Sequence, residues 1–297
     1  MARANLFFYL GRGESVHITT NKHHGIVEGV NQLGEIKVLV SGASGKMGRE
    51  VCRAVTGDSQ LQLVGAVDRM NIGKDIGPLI GAEPLNIAVS GELAAGLGSC
   101  RPEVVIDFTA PAGVMENIRT VLKAGVHIVV GTTGLTPENL QEIEGLCKEH
   151  GVNALIAPNF AVGALLMMRF AATAAKYFPQ VEIIELHHDQ KLDAPSGTSI
   201  KTAEMILAGR DTQAPVTIGE EKIKGVRGGE MNGIHLHSVR LPGLIAHQEV
   251  IFGGEGQTLT IRHDSISRES FMPGVMLAVK MVPGRPGLTY GLEHYLF

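Results

Sequence analysis

An apolar segment followed at once by three evenly spaced glycines most limits what this chain can fold into. Residues 36–40 (IKVLV) have the β-branched character of a buried strand, and residues 41–48 (SGASGKMG) follow directly. Glycines let the backbone approach a pyrophosphate, whose charge the start of the next helix would stabilise. Because the spacing is GxxGxxG rather than GxGxxG, a glycine-rich turn without a ligand remains the alternative. The candidate cofactor-binding residues of this loop are Gly42, Ala43, Ser44, Gly45, Lys46 and Met47.

The segment after this loop supports a dinucleotide-binding unit. Residues 60–67 read as a second strand that ends at Asp68, 20 positions after Gly48, where a ribose-binding carboxylate is expected. Arg69 follows immediately and can pair with a 2′-phosphate. Because both side chains are present, we expect the chain to accept NADH and NADPH as cofactors.

A second group of polar residues follows a later strand. Residues 181–186 (VEIIEL) have the pattern of a buried strand, residues 187–198 (HHDQKLDAPSGT) come next, and residues 198–207 predict a helix. Proton donors at the strand end would face the amide-rich start of that helix, which suits protonating and holding a small carboxylate. Simply solvated histidines are the alternative. A shared metal ion is disfavoured, because His187 and His188 would point to opposite faces of the strand.

The order of the predicted elements indicates an α/β fold. Strands at 104–109, 127–130 and 153–157 alternate with helices that begin near Pro111 and Pro137. We therefore expect a Rossmann-type doubly wound parallel sheet, with ligands bound at the carboxyl ends of its strands.

The second half of the chain has a different character. Strands at 181–186, 234–241, 248–253 and 258–263 come in succession with one helix among them, which predicts a second, α+β domain on an open mixed sheet. The residues expected to be buried on a face of this sheet are Val239, Leu241, Val250, Ile251 and Leu259.

From residue 36 onward the chain resembles the bacterial 4-hydroxy-tetrahydrodipicolinate reductase family, also called dihydrodipicolinate reductase. The resemblance covers nearly the whole chain after residue 35. The motifs that carry it are residues 42–48, 107–109 (DFT), 131–134 (GTTG), 157–160 (APNF), 185–188 (ELHH) and 191–198. It implies NAD(P)H-dependent reduction of a cyclic imine dicarboxylate in lysine and diaminopimelate biosynthesis, in the cytoplasm, by a homotetramer.

The resemblance also implies roles for individual residues. His187 would be the general acid and Lys191 a second proton donor, while His188, Gly197 and Thr198 would hold a substrate carboxylate. Further cofactor contacts would come from two strand ends, at Gly131, Thr132, Thr133, Ala157, Pro158, Asn159 and Phe160. No metal ligand is implied.

The resemblance and the element order together divide the chain into three parts. Residues 36–159 with 268–297 would form the dinucleotide-binding domain, because a final helix at 267–282 is expected to return to it. Residues 160–267 would form the substrate-binding and oligomerisation domain. Residues 1–35 precede the segment that resembles the family, and we expect a disordered tail or an over-long start assignment, with a lineage-specific addition as the third alternative.

Composition excludes several other classes of protein. The net charge is −4, aromatic residues make up 4% and Trp is absent, so neither a nucleic-acid nor a membrane-surface partner is indicated. Three cysteines without CxxC spacing fit a reducing compartment. Two rivals remain: a dehydrogenase of the aspartate-semialdehyde type, which needs a cysteine nucleophile, and a non-catalytic NAD-sensing module, which has no use for His187 and Lys191.

Overall fold

The structure is a computed structural model that describes residues 35–210 and 219–297. The expectations for the first 34 residues lie outside this range. Within it, two sheets are flanked by helices.

The first sheet consists of parallel strands only. In spatial order they are β12 (Leu288–Tyr290), β6 (Ala154–Ile156), β5 (His127–Val130), β4 (Val104–Asp107), β1 (Ile36–Ser41), β2 (Leu61–Val67) and β3 (Val89–Ser90). The order reverses beside β1, as in a doubly wound sheet, and confirms the predicted fold class.

Helices cover both faces of this sheet. Val38 and Val40 belong to one apolar cluster and Leu39, between them, belongs to the other. Such burial on both sides explains why the strands read as continuous apolar runs. The helices of the described chain are α1 (Lys46–Thr56), α2 (Ile76–Leu79), α3 (Leu93–Cys100), α4 (Pro111–Lys123), α5 (Pro137–His150), α6 (Val162–Ala174), α7 (Gly197–Gly209), α8 (Met272–Met281) and α9 (Glu293–Leu296).

The second sheet is open and mixed, as predicted. Its spatial order is β11 (Gln257–Ser265), β10 (Ala246–Gly254), β7 (Gln180–His187), β9 (Ile234–Arg240) and β8 (Gly229–Met231). Only β7 and β9 run parallel, whereas the other neighbours are antiparallel. Ile183 and Val250 lie on the face that packs against α6 and α7.

The expected burial of five residues on one face of this sheet is wrong in part. Val250 is fully buried, but Ile251 is its neighbour on β10 and points to the opposite face, together with Val239. Leu241 lies beyond the end of β9 and is 55% exposed, and Leu259 is 36% exposed. The alternation of side chains along a strand forbids a shared face for Val250 and Ile251.

The last elements return to the first sheet. A 3₁₀ turn at Arg268–Phe271 precedes α8, so the helix begins five residues later than predicted. After α8 the chain forms β12, which pairs in parallel with β6. This course agrees with a discontinuous nucleotide-binding domain, although the domain boundaries stay a prediction. None of the helices in residues 35–210 and 219–297 has the length and apolarity needed to cross a membrane.

Candidate active site

The glycine loop between β1 and α1 is too tightly folded for larger side chains. Gly42 has a positive φ of 81°, a conformation that favours glycine. A β-carbon at Gly48 would lie 1.9 Å from the carbonyl oxygen of Gly42. Gly48 is therefore required for close packing of the helix against the loop, which is a glycine role in dinucleotide-binding folds.

The start of α1 fits an anionic group. Gly45 is the N-cap residue, and no side chain caps the helix. Lys46 is exposed on the first turn, followed by Met47. Since the first amides of a helix lack partners within it and carry partial positive charge, this end suits the pyrophosphate of a nicotinamide dinucleotide. Ala43 and Ser44 are buried beneath it.

Asp68 holds the glycine loop against the end of β2. Its carboxylate accepts hydrogen bonds from the amide of Ser44 at 2.9 Å and from the amide of Met70 at 2.8 Å. A carboxylate offers about four acceptor positions, so two remain for ribose hydroxyls. Arg69 is exposed beside it and makes no hydrogen bond or ion pair within the described part of the chain.

A buried carboxylate organises the carboxyl ends of β4 and β5. Asp107 is fully buried and accepts from the hydroxyls of Thr109 and Thr132, at 2.8 and 2.9 Å, and from the side-chain amide of Asn117 at 2.8 Å. The Thr132 hydroxyl also accepts from the amide of Thr109 at 2.9 Å. Of the two predicted threonines, only Thr133 therefore has an exposed side chain free of this network.

Aromatic packing shapes the neighbouring loops. A β-carbon at Gly131 would lie 2.1 Å from the ring of Phe108, so the ring occupies the space beside this glycine. The same ring packs at 5.8 Å, centroid to centroid, against that of Phe160, which is buried. Ala157 is also buried, whereas Asn159 is partly exposed and its side-chain oxygen accepts from the amide of Ala161.

His187 lies at the end of β7 and is fixed by a buried carboxylate. Its Nδ1 hydrogen-bonds to Glu185 Oε2, and Glu185 is fully buried. The guanidinium of Arg240 donates to both oxygens of that carboxylate, at 2.8 and 2.6 Å. Although burial alone would raise the pKa of Glu185, its hydrogen bonds, chiefly those from Arg240, outweigh this effect and lower that pKa.

The pKa of His187 is also lowered. Burial of the ring is the largest cause, and the positive charges of Lys191 and Arg240 act in the same direction. The carboxylate of Glu185 opposes them without cancelling them. In the ligand-free protein His187 is therefore neutral around neutral pH.

The other predicted substrate residues surround the same strand end. Lys191 is partly buried, and its Nζ donates to both carboxylate oxygens of Asp193, at 2.7 and 2.9 Å. His188 is exposed just beyond β7. Gly197 and Thr198 are the first residues of α7, whose N-cap is Ser196.

Two cavities show which of these residues the fold brings together. The larger, of about 950 Å³, lies between α1 and the strand end, and its lining includes Lys46, Met47, His187, His188 and Lys191. The smaller, of about 210 Å³, is lined in part by Pro158, Asn159, His187 and Thr198. Only His187 among the predicted residues lines both. Those that line neither are Gly42, Ala43, Ser44, Gly45, Asp68, Arg69, Gly131, Thr132, Thr133, Ala157, Phe160 and Gly197.

Sequence reasoning missed four residues of this region. Glu185 and Arg240 hold His187, while His247 and His263 line the smaller cavity. Glu185 stands two positions before His187 on a strand, and this spacing places both on one face. No comparable local signal marks the other three, because neighbouring strands bring them to the site.

The three cysteines are unsuited to nucleophilic catalysis. Burial raises the pKa of Cys52 to about 12 and that of Cys147 to about 11, and it also raises the pKa of Cys100. None of them lines either cavity. Since the thiolate is the nucleophile, these thiols do not support the semialdehyde-dehydrogenase alternative. Within residues 35–210 and 219–297, no cluster of His, Cys, Asp or Glu could hold a metal ion.

Comparisons with known proteins decide the family. The family model described as "Dihydrodipicolinate reductase, N-terminus" matches residues 36–160, and its C-terminal counterpart matches residues 163–296. The chain belongs to the dihydrodipicolinate reductase family. It is therefore an oxidoreductase with a Rossmann-type domain that binds NAD(P)H, and the predicted resemblance is confirmed.

Individual relatives cover most of the chain. A 4-hydroxy-tetrahydrodipicolinate reductase of Desulfitobacterium hafniense is 56% identical over 269 residues, which are 89% of this chain and all of the relative. One from Moorella thermoacetica is 51% identical over 264 residues, 89% of this chain and 99% of the relative. The solved dipicolinate-bound dihydrodipicolinate reductase of Paenisporosarcina sp. TG-14 is 45% identical, with a TM-score of 0.78 over 88% of this chain and 99% of that chain.

Proposed function

We propose that the chain reduces 4-hydroxy-tetrahydrodipicolinate, by way of dihydrodipicolinate, to tetrahydrodipicolinate with NADH or NADPH, in lysine and diaminopimelate biosynthesis. The observation that carries the proposal is the position of His187 and Lys191 in a cleft whose other wall is the first turn of α1. Relatives more than 50% identical bear the name of this activity. The dipicolinate-bound structure of a relative supports a small dicarboxylate as the ligand.

The cofactor residues divide into two groups. The glycine loop and the uncapped start of α1 would hold the pyrophosphate, with Asp68 and Arg69 at the ribose. Thr133 and Asn159, at the ends of β5 and β6, would line the nicotinamide end together with their neighbours. When bound, the reduced nicotinamide supplies the hydride, and the protein's residues supply the proton and the electrostatic environment.

The proton comes from the strand end of β7. His187 is neutral in the ligand-free protein because burial lowers its pKa. Two substrate carboxylates favour the charged form of a nearby imidazole, so His187 takes up a proton as the substrate binds. It then returns this proton to the ring of the substrate as general acid. Lys191 is a second donor at the same cleft.

The substrate carboxylates would be held by residues that already face the site. The first turn of α7 offers the Thr198 hydroxyl and the amides of Gly197 and Thr198, whose partial positive charge favours an anion. His188 is exposed just beyond β7 and lines the larger cavity. The Lys191 ammonium can contact a carboxylate if it turns from Asp193, which is itself exposed.

We further propose a homotetramer in the cytoplasm. On the face of the second sheet opposite α6 and α7, Ile184, Leu186, Val239 and Ile251 are only partly buried in the single chain. Such an apolar face suits contact with a second copy. Three free cysteines fit a reducing compartment. Sedimentation analysis of the purified protein tests the assembly, and a monomer at micromolar concentration would contradict it.

A coupled assay tests the activity. The unstable substrate is generated in place by its synthase, and oxidation of NADH and NADPH is followed separately by loss of nicotinamide absorbance. We expect rapid oxidation that depends on the synthase, and the two rates rank the cofactors. A folded protein that binds NADH but oxidises neither cofactor would favour the NAD-sensing alternative.

A further inference from the structure

The carboxylate of Glu185 is completely engaged by donors. Oε2 accepts from Arg240 Nη1 and from His187 Nδ1, while Oε1 accepts from Arg240 Nη2 and from the amide of Ser196 at 3.2 Å. An ionised carboxylate is only an acceptor, with about four positions to fill. Every position of this buried group is therefore assigned to a donor.

This arrangement determines the tautomer of His187. Since Glu185 is ionised and cannot donate, Nδ1 of His187 must carry a proton. Nε2 is then the nitrogen that gains and loses the exchangeable proton, and it makes no hydrogen bond to any described residue. His187 lines both cavities. A fixed Nδ1 leaves Nε2 as the group that reacts there.

Arg240 reaches this carboxylate through the register of the sheet. β7 and β9 are parallel, with Glu185 opposite Ser238 and His187 opposite Arg240. The Arg240 side chain also donates to the carbonyl oxygens of Val239 and Asp193, both at 2.8 Å. These four hydrogen bonds hold the guanidinium in one orientation, beside the strand end and the turn that carries Lys191.

We propose that Arg240 is a positioning residue for the reduction. Its guanidinium holds Glu185 in the orientation that determines the His187 tautomer. Its positive charge also offsets the negative charge that Glu185 places beside the imidazole. The inference rests on the proposed function, in which His187 is the general acid. The clamped carboxylate then orients the imidazole without making it a permanent cation. His187 can therefore respond to the charge of the substrate.

Other charged and titratable groups surround His187 and remain unchanged in the test. Lys191, paired with Asp193, lies in the turn after β7, and its charge disfavours the protonated imidazole. The remaining groups line the two cavities with His187, and they are His188, His247, His263, Lys46, Arg49, Glu50, Arg53, Arg268 and Glu269.

Opposite charge changes provide the test. Arg240→Met leaves the negative Glu185 beside His187 and should raise the pKa of His187, whereas Glu185→Gln leaves the positive Arg240 and should lower it. Each shift should be about one unit or more, the usual size for a charge within a few ångströms. The double variant removes both charges, and the pKa of His187 should then lie between the values of the two single variants. Because it buries no unpaired ion, it also provides a folded form if Arg240→Met is unstable.

Arg240→Lys separates charge from geometry. It keeps the positive charge but cannot donate to both carboxylate oxygens in the planar geometry of a guanidinium. We expect the pH profile to stay within about half a unit of the original, below the shift from loss of a neighbouring charge, while kcat falls severalfold. The matched control is Arg227→Met, because Arg227 pairs with Glu182 on the opposite face of the same strand and should leave His187 unaffected.

Two measurements keep this inference distinct from the proposed function. The pH dependence of kcat and kcat/KM is measured in the coupled assay. The pKa and tautomer of His187 are measured independently by NMR of histidine-labelled protein, with the signal assigned by its loss in His187→Gln. Shifts of equal sign in Arg240→Met and Glu185→Gln, or no NMR shift in either, would overturn the role of Arg240. Absence of turnover in the unmodified protein would instead refute the proposed function.

Discussion

Replacing Thr132 with valine removes one hydroxyl from the buried network at the ends of β4 and β5. The hydroxyl donates to Asp107 at 2.9 Å and accepts from the amide of Thr109 at 2.9 Å, and the residue is only 7% exposed. Valine has nearly the same shape, so packing should be preserved. The variant therefore reports the two hydrogen bonds rather than a cavity.

The expected loss follows from the partners. A buried hydrogen bond to a charged group contributes about 1.5–3 kcal/mol, and one between neutral groups about 0.5–1.5 kcal/mol. The amide of Thr109 keeps a second acceptor, Asp107 Oδ1 at 3.1 Å, so the second bond costs little. We expect the free energy of unfolding to fall by about 2–3 kcal/mol, which corresponds to a decrease in Tm of roughly 4–12 °C for a domain of moderate size.

Urea unfolding and thermal scans of the ligand-free protein provide the measurement. Thr133→Val is the matched control, because Thr133 is exposed and lies outside the network. It should change stability by less than about 0.5 kcal/mol. If Thr132→Val were as stable as the original but bound NADH much more weakly, the hydroxyl would serve the cofactor directly and our account of the network would be refuted.

Three further predictions concern the active site. His187→Gln should lower kcat by about a hundredfold or more, the usual scale of acid catalysis, with the NADH Kd unchanged; a parallel loss of NADH binding would argue against this role. Arg69→Ala should weaken NADPH far more than NADH in direct titrations, and equal responses would mean that Arg69 does not contact the 2′-phosphate. Gly48→Ala should weaken NADH binding at least about tenfold, because its β-carbon would overlap the Gly42 carbonyl and shift the anion-binding loop. The control for Gly48→Ala is Gly145→Ala on α5, because a β-carbon at Gly145 would have no neighbouring atom within 4 Å.

Strands and helices with a strong local signal were predicted closely. β5 has the predicted bounds and β1 extends one residue beyond them, because both are apolar runs that end in polar turns. β4 ends two residues early, since Phe108 and Thr109 already belong to the turn that contacts the glycine loop. β12 was not predicted. It has three residues and forms by parallel pairing with β6, whose other edge pairs with β5. Short strands of this kind depend on their neighbour.

The candidate site shows the same difference between residues with a local sequence signal and residues whose role depends on distant partners. His187, His188 and Lys191 were predicted because they stand together in the sequence, and in the structure they line one cavity. The cofactor contact of Thr132 stays a prediction, and in the structure its hydroxyl donates to Asp107. Whether a polar side chain faces a ligand or a buried partner depends on residues far away in the chain. Residue type and spacing alone do not distinguish the two cases.

The sequence by itself determined the constraints that act between near neighbours. Three glycines and the strand before them dictate a loop that only small residues can form, and the order of apolar runs dictates an α/β fold. The tertiary structure decided how distant charges meet. Arg240 follows Glu185 by 55 positions, and only the parallel register of β7 and β9 places its guanidinium on that carboxylate. Register is set by side-chain packing across the whole sheet, so no local pattern contains it.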